Sequence, residues 1–405
     1  MQIDASRLWQ TLMDTAQIGG TAEGGICRLT LSAEDRAVRD WLTTEARHLG
    51  LSLSTDRVGN MFLRREGRSV TAAPIAMGSH LDTQPTGGKF DGILGVLAGL
   101  EVMRSLNEHN VETEHPLLLV NWTNEEGARF APAMLGSAVH AGTLPLDEAM
   151  AQIDAEGMSF GEALAQSGCA GEADIGATRI GAMFELHIEQ GPVLEHAGDR
   201  IGVVTGVQAA RWYDITLTGR TAHAGSTPME MRADALMAAI AFISDVTDIA
   251  RTAGGYATVG EFAIKAPSRN VVAGEVRFSL DLRHPEDSHI EAMEQSVRDR
   301  LTAIGDGISS HMSTLWFSPS VRFDAGCIAA VRHAAETSGL PWRDIVSGAG
   351  HDAVNISRIA PTAMIFVPCK DGLSHNPAES ATAEDCAAGA QALLDAVLRY
   401  DACPT

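Results

Sequence analysis

The chain has 405 residues but no apolar run long enough to span a bilayer. The longest runs, PLLLV (116–120) and AMIFV (363–367), are strand-sized. The opening MQIDASRLWQTLMDTAQIG carries neither a basic start nor a long apolar stretch, so no secretory leader is expected. Cysteine is sparse: the residues at 27, 169, 327, 369, 386 and 403 form no CxxC pair. At this length that argues against a disulfide framework and for reduced thiols in a cytoplasm. It also leaves His and carboxylates to build any metal site, a donor set that favours zinc, with manganese, cobalt or nickel as alternatives. Positive charge is short as well, with 30 Lys and Arg against 52 Asp and Glu and a formal net charge of −22. Such a chain repels phosphates, so neither nucleic acid nor an anionic membrane is an expected partner. An anionic small molecule would need a local cation to hold it. No tandem repeat, low-complexity tract or evident linker interrupts the sequence.

What is present suits a large core and two domains: 45% hydrophobic residues and a mean hydropathy of +0.01. Residues 33–50 read as a helix ending at Gly50, and 51–65 as a short strand pair turning at Gly59-Asn60. AAPIAMG (72–78) reads as a buried strand, 92–106 as an apolar-faced helix and 115–127 as a strand running into a polar loop. Strand, loop, helix, strand is the order of an α/β sheet, where ligands gather at the carboxyl ends of the strands. The order changes near 207. Strand patterns at 212–220, 274–284 and 311–318 alternate with helices at 233–251 and 289–305, which describes a small α+β insert over 207–318. From 328 the α/β pattern resumes, with helices at 328–338, 351–359 and 383–400 and a strand at 362–368. The expected domains are therefore 1–206 with 319–405, and 207–318.

Chemistry-bearing residues collect at strand ends. GSHLDTQPTGGKFDG (78–92) places His80 and Asp82 two apart just past a strand, so that in extended backbone both project the same way. Asp91 follows a Gly-rich turn and can swing back toward His80. The plain alternative is a polar loop. TNEEG (123–127) sets Glu125 and Glu126 after another strand. One of them can ligate a metal while the other faces the water it activates; the plain alternative is a solvated turn. FELHIEQGPVLE (184–195) alternates, with Glu185, His187 and Glu189 on one face and Gln190 and Gly191 ending the strand. His187 is a candidate ligand or a half-exposed strand His. His375, in DGLSHNPAE (371–379), follows the strand before it. Each signal is weak alone; their recurrence at four strand ends is the argument.

Together with GRTAHAGSTPMEMRADAL (219–236) and SGAGHDA (347–353), these segments resemble the M20-type metal-dependent amidohydrolases. The resemblance is nearest to the branch of N-carbamoyl-L-amino acid hydrolases, β-ureidopropionases and allantoate amidohydrolases. It runs in order along nearly the whole chain. It implies an α/β fold: a catalytic domain with a central mixed sheet flanked by helices, and an inserted α+β lid and dimerisation domain. It implies two divalent metal ions per subunit, with His80 and His187 on one, Glu126 and His375 on the other, and Asp91 bridging. Glu125 would be the general base and Asp82 the orienter of His80. His223 would stabilise the oxyanion, reaching the partner subunit's site in a homodimer. Asn270 and Arg283 would hold a substrate carboxylate, with Gln190 and the Gly350 backbone meeting the substrate. The plain alternatives are a surface ion pair of Arg283 with Glu286 and a loop role for His223. His351 and Asp352 have no assigned role.

The implied reaction is hydrolysis of R–NH–CO–NH₂ to amino acid, carbon dioxide and ammonia. Competing readings are allantoate or ureidoglycolate hydrolysis, a dinuclear aminopeptidase or deacylase, and a non-catalytic dimeric binding protein. A pure binder has no use for a general base beside two metals.

Overall fold

The computed structural model describes residues 1–265, 268–305 and 307–402; Cys403 lies outside them. The chain forms two compact units, Met1–Thr205 with Phe323–Thr405, and Gly206–Arg322. The strands in chain order are β1 Ser52–Thr55, β2 Met61–Arg65, β3 Ile75–His80, β4 Leu117–Trp122, β5 Ala182–Ile188 and β6 Ile201–Val207, which runs across the unit boundary. Next come β7 Ala209–Thr218, β8 Tyr256–Thr258, β9 Phe262–Ile264, β10 Glu275–His284, β11 Ser309–Ser318 and β12 Val321–Arg322. β13 Trp342–Ser347 and β14 Thr362–Val367 follow.

The sheet of the first unit runs β1-β2-β4-β3-β5-β14-β6, with β13 also paired to β6. It is mixed: β4-β3, β3-β5 and β5-β14 are parallel, while β1-β2, β2-β4 and β14-β6 are antiparallel. Every residue of β3, β4, β5 and β14 is buried. Continuous apolar runs such as LLLV and AMIFV suit strands covered on both faces. The alternation in β5 therefore does not mark a wet face. Glu185 and His187 are buried like their apolar neighbours, because helices and loops close over that side too.

Helices Ile93–Glu108 and Ala383–Asp401 pack on this sheet and share its core with the strands. Thr382 caps the second of them through Asp385 N–H, as Ser32 and Asp324 cap Ala33–His48 and Ala325–Ser338. Free thiols stand at 27, 169, 327, 369 and 386. Among the described residues, no helix is long and apolar enough to cross a membrane.

In the second unit β11-β7-β10-β8 form an antiparallel sheet, with β9 also against β10. Burial alternates along β10, so one face meets helices Ala235–Ala253 and Asp287–Thr302. Tyr213, Ile215, Phe278 and Leu280 pack there against Phe242, Val246, Ile290 and Val297. β11 is an edge strand that leaves Leu315, Trp316 and Phe317 exposed.

Gly78 shows how tightly the central strands are drawn together. Its φ is 147°, and a Cβ there would lie 2.0 Å from Val120 O on β4. Gly78→Ala is expected to destabilise the protein by about 2–4 kcal/mol through strain and a displaced strand. Denaturant unfolding measures this; an unchanged midpoint would show that the strand pair yields freely.

Candidate metal centre

In the sheet order, β4, β3, β5 and β14 are parallel neighbours, so their carboxyl ends open at the same edge. His80 is the last residue of β3, and His187 lies one residue before the end of β5. Glu125 and Glu126 follow β4, and His375 follows β14. The fold thus delivers ligand-type side chains from four adjacent strands.

Both buried imidazoles are turned the same way. His80 Nδ1 donates to Asp82 O and His187 Nδ1 to Ile188 O, each at 2.9 Å. A carbonyl only accepts, so these bonds place the proton on Nδ1 and leave each Nε2 as an acceptor, which in His187 takes the Gly92 N–H at 2.9 Å. Asp91 Oδ1 lies 3.2 Å from His187 Nε2 and 3.7 Å from His80 Nε2. Its Oδ2 lies 3.7 Å from His375 Nε2, which is 3.3 Å from Glu126 Oε2. Two groups result, His80–Asp91–His187 and Asp91–Glu126–His375, with ligand atoms within 4.8 Å of one another in each. Asp91 belongs to both. Gly92 makes the approach possible: a Cβ there would fall 2.2 Å from His80 Nε2.

Glu125 stands beside the first group, its Oε2 3.4 Å from His80 Nε2. The expected bond from the Asp82 carboxylate to His80 is replaced by another arrangement. That carboxylate is 3.9 Å from the ring and instead faces the backbone N–H groups of Glu125 and Glu126, both at 3.3 Å. Asp82 therefore holds His80 through its main-chain carbonyl and the two glutamates through its side chain. Gln190, with φ 57°, gives its Nε2–H to Asp91 Oδ2 at 2.6 Å.

Gln84, Ser374 and Glu379 also serve the centre, although nothing in their residue type or spacing singles them out in the sequence. Gln84 Nε2 donates to Glu126 Oε2 at 2.8 Å, and Ser374 Oγ donates to Asp91 Oδ2. Glu379 Oε1 accepts from Phe90 N and Asp91 N. Their only signal in the sequence was a place inside the motifs already singled out. His351 packs its ring 4.6 Å from that of His187 and meets Ser347 Oγ through Nε2 at 3.1 Å. Asp352 is fully buried beside it, whereas Gly350 is exposed.

The electrostatics ask for positive charge. Burial pushes Glu125 well above the usual carboxylate range, and the charges of Asp352, Glu126, Asp82 and Asp91 push it further. Burial also raises Asp82 to about 6 and Glu379 to about 8. The bond to Glu126, opposed by burial, raises His375 to about 9. Buried Arg28 and Arg39 bear on Asp82. Carboxylates packed this closely cannot all stay ionised without further countercharge. Nε2 lone pairs, a shared aspartate and carboxylate oxygens are what divalent cations need, and the residues present fit two of them.

On the second unit, His223 Nδ1 accepts the N–H groups of Gly225 and Ser226 at 3.1 and 3.2 Å, which places its proton on Nε2. Arg232 holds the same loop by Ala224 O and Thr227 O at 2.6 and 3.0 Å. Asn270 O accepts Ala224 N–H at 2.9 Å, so His223 and Asn270 stand on touching segments. Arg283 forks onto Asp281, with Nε and Nη2 at 3.0 and 2.8 Å from Oδ2. Glu286, the alternative partner, pairs with Arg322.

Known proteins share this architecture along the whole chain. The sequence profile of Peptidase family M20/M25/M40 matches residues 76–399. An N-carbamoyl-L-amino-acid amidohydrolase of Rhizobium meliloti is 45% identical over 401 residues, covering 98% of this chain and 96% of the relative. An N-carbamoyl-L-amino acid amidohydrolase of Geobacillus stearothermophilus is 40% identical over 98% of both chains. The crystal structure of an amidase of the hydantoinase/carbamoylase family from Burkholderia multivorans superposes with a TM-score of 0.95 at 48% identity, covering 100% of this chain and 99% of that one. Fold and site together define a dinuclear, metal-dependent amidohydrolase. The chain belongs to peptidase family M20/M25/M40, in its hydantoinase/carbamoylase branch.

Metal-free protein is expected to take up two equivalents of zinc or manganese. A cation held at 100 times its Kd should add about 2.7 kcal/mol of stability. Asp91→Ala should remove both the uptake and the gain in Tm. Isothermal titration and thermal unfolding check this, and full uptake by the variant would separate Asp91 from the centre.

Proposed function

We propose that the chain hydrolyses the ureido C–N bond of N-carbamoyl amino acids, as an N-carbamoyl-L-amino acid hydrolase or β-ureidopropionase. The observation that carries the reading is Glu125, 3.4 Å from His80 Nε2 beside two cation groups that share Asp91. The names of relatives covered along 98% of this chain support the substrate class. In this reading His80, Asp91 and His187 hold one cation, and Asp91, Glu126 and His375 the other. When bound, the two cations supply Lewis acidity to the attacking water and the ureido carbonyl. Zinc suits the imidazole and carboxylate donors best, with manganese, cobalt or nickel as alternatives.

Glu125 takes the proton of the attacking water and passes it to the nitrogen that leaves. Its raised affinity for a proton, caused by burial first and nearby carboxylates second, equips it for both halves of that transfer. Asp82 fixes the two glutamates by their backbone N–H groups. Water adds to the carbonyl, the bond to the amino acid's nitrogen breaks, and the carbamate released breaks down to carbon dioxide and ammonia. His223 carries its proton on Nε2 and is the donor for the carbonyl oxygen. Arg283 and Asn270 hold the substrate carboxylate, Arg283 exchanging its Asp281 contact for it. Gln190 and Gly350 complete the substrate contacts. The second unit acts as lid and homodimer contact, with the exposed apolar residues of β11 supporting the latter.

Glu125→Gln should lower turnover by about 10²–10⁴-fold or more while both cations remain bound. Ammonia release with parallel metal analysis reads both. Arg283→Ala should weaken N-carbamoyl amino acids far more than a ureido compound without a carboxylate. Equal losses on the two would remove Arg283 from its role. A panel of N-carbamoyl-L-α-amino acids, N-carbamoyl-β-alanine, allantoate and a dipeptide tests the substrate class. Preference for the dipeptide would overturn it.

A further inference from the structure

Glu379 is buried within a few residues of His375, yet its carboxylate serves a different segment. Its Oε1 accepts the backbone N–H of Phe90 at 2.8 Å and of Asp91 at 3.1 Å. Its Oε2 is buried without a hydrogen-bond partner. The side chain reaches the Asp91 turn by passing over Gly88, where a Cβ would lie 2.1 Å from Glu379 Cδ. Its own N–H donates to Asn376 O at 2.9 Å, so its backbone is part of the loop that presents His375. One carboxylate thus ties the turn carrying Asp91 to the loop carrying His375. A buried carboxylate is costly, and the two N–H groups it accepts repay only part of that cost.

We propose that Glu379 is a positioning residue that fixes Asp91 relative to His375 and so keeps the two cation positions in register; this rests on the dinuclear reading above. It works on main-chain atoms of the shared ligand, in the way outer hydrogen bonds aim the ligands of metal sites. Gly88 is the second half of the device, since any side chain there would occupy the path of Glu379.

The test compares unaltered protein with E379Q, E379A and G88A, all stripped of metal. Zinc affinity is read by competition with a chromogenic chelator, and the thermal unfolding of each metal-free form is recorded. E379A should bind zinc about 10–100-fold more weakly while its metal-free Tm stays near that of unaltered protein. E379Q keeps an acceptor oxygen and should recover most of the affinity. G88A should resemble E379A. Affinity in E379A equal to the unaltered protein overturns the proposal. So does a metal-free E379A that fails to fold, which would make Glu379 a residue of the fold rather than of the site. Failure of E379Q to recover affinity overturns it too. If the unaltered protein takes up fewer than two ions, the dinuclear reading fails first and this inference falls with it.

Discussion

Asp91 presents one carboxylate oxygen to His187 and His80 and the other to His375. A single carboxylate between two groups of ligands fixes the distance between whatever the groups hold. The rest of the first unit can be understood as the means of delivering residues to it. Parallel neighbours β4, β3, β5 and β14 end along one edge, and strands in a sheet lie about 4.8 Å apart. Side chains from adjacent ends are therefore within reach of a common centre without long loops. The glycines at 78, 88 and 92 serve the same end, since each lets backbone or a side chain pass where a Cβ could not.

The site is expensive to bury. Acidic residues at 82, 91, 125, 126, 185, 352 and 379 gather around a few imidazoles, and most of them are buried. The protein meets part of the cost with backbone N–H groups on Asp82, Glu185 and Glu379. It leaves the remainder to cations. Those backbone bonds offset only part of the cost: burial raises Asp82 and Glu379 as it raises Glu125, while the neighbouring imidazoles hold Asp91 below the usual carboxylate range.

Much of this was legible in the sequence because metal ligation needs particular atoms at strand ends, and strand ends are marked by the change from apolar run to turn. His80, Asp91, Glu126, His187 and His375 come together in the structure at the places where such runs stop. The burial of β5 was not legible. Alternating Phe184, Leu186 and Ile188 reads the same whether the opposite face meets water or a site packed under loops. The partner of the Asp82 carboxylate was missed for a related reason: side-chain direction along a strand says nothing about main-chain N–H groups from a distant loop. Glu379 and Ser374 were hidden because their role depends on contacts made across nearly 300 positions of chain. Arg283 was expected to hold a substrate carboxylate or to pair with Glu286; its hold on Asp281, two residues away on the same strand, was not foreseen.

A crystal soaked in manganese or zinc and measured at the metal's absorption edge tests the central claim most directly. Two anomalous peaks on either side of the Asp91 carboxylate, one against His80 and His187 and one against Glu126 and His375, are the result expected. A single peak, or peaks that leave Asp91 untouched, would contradict the account.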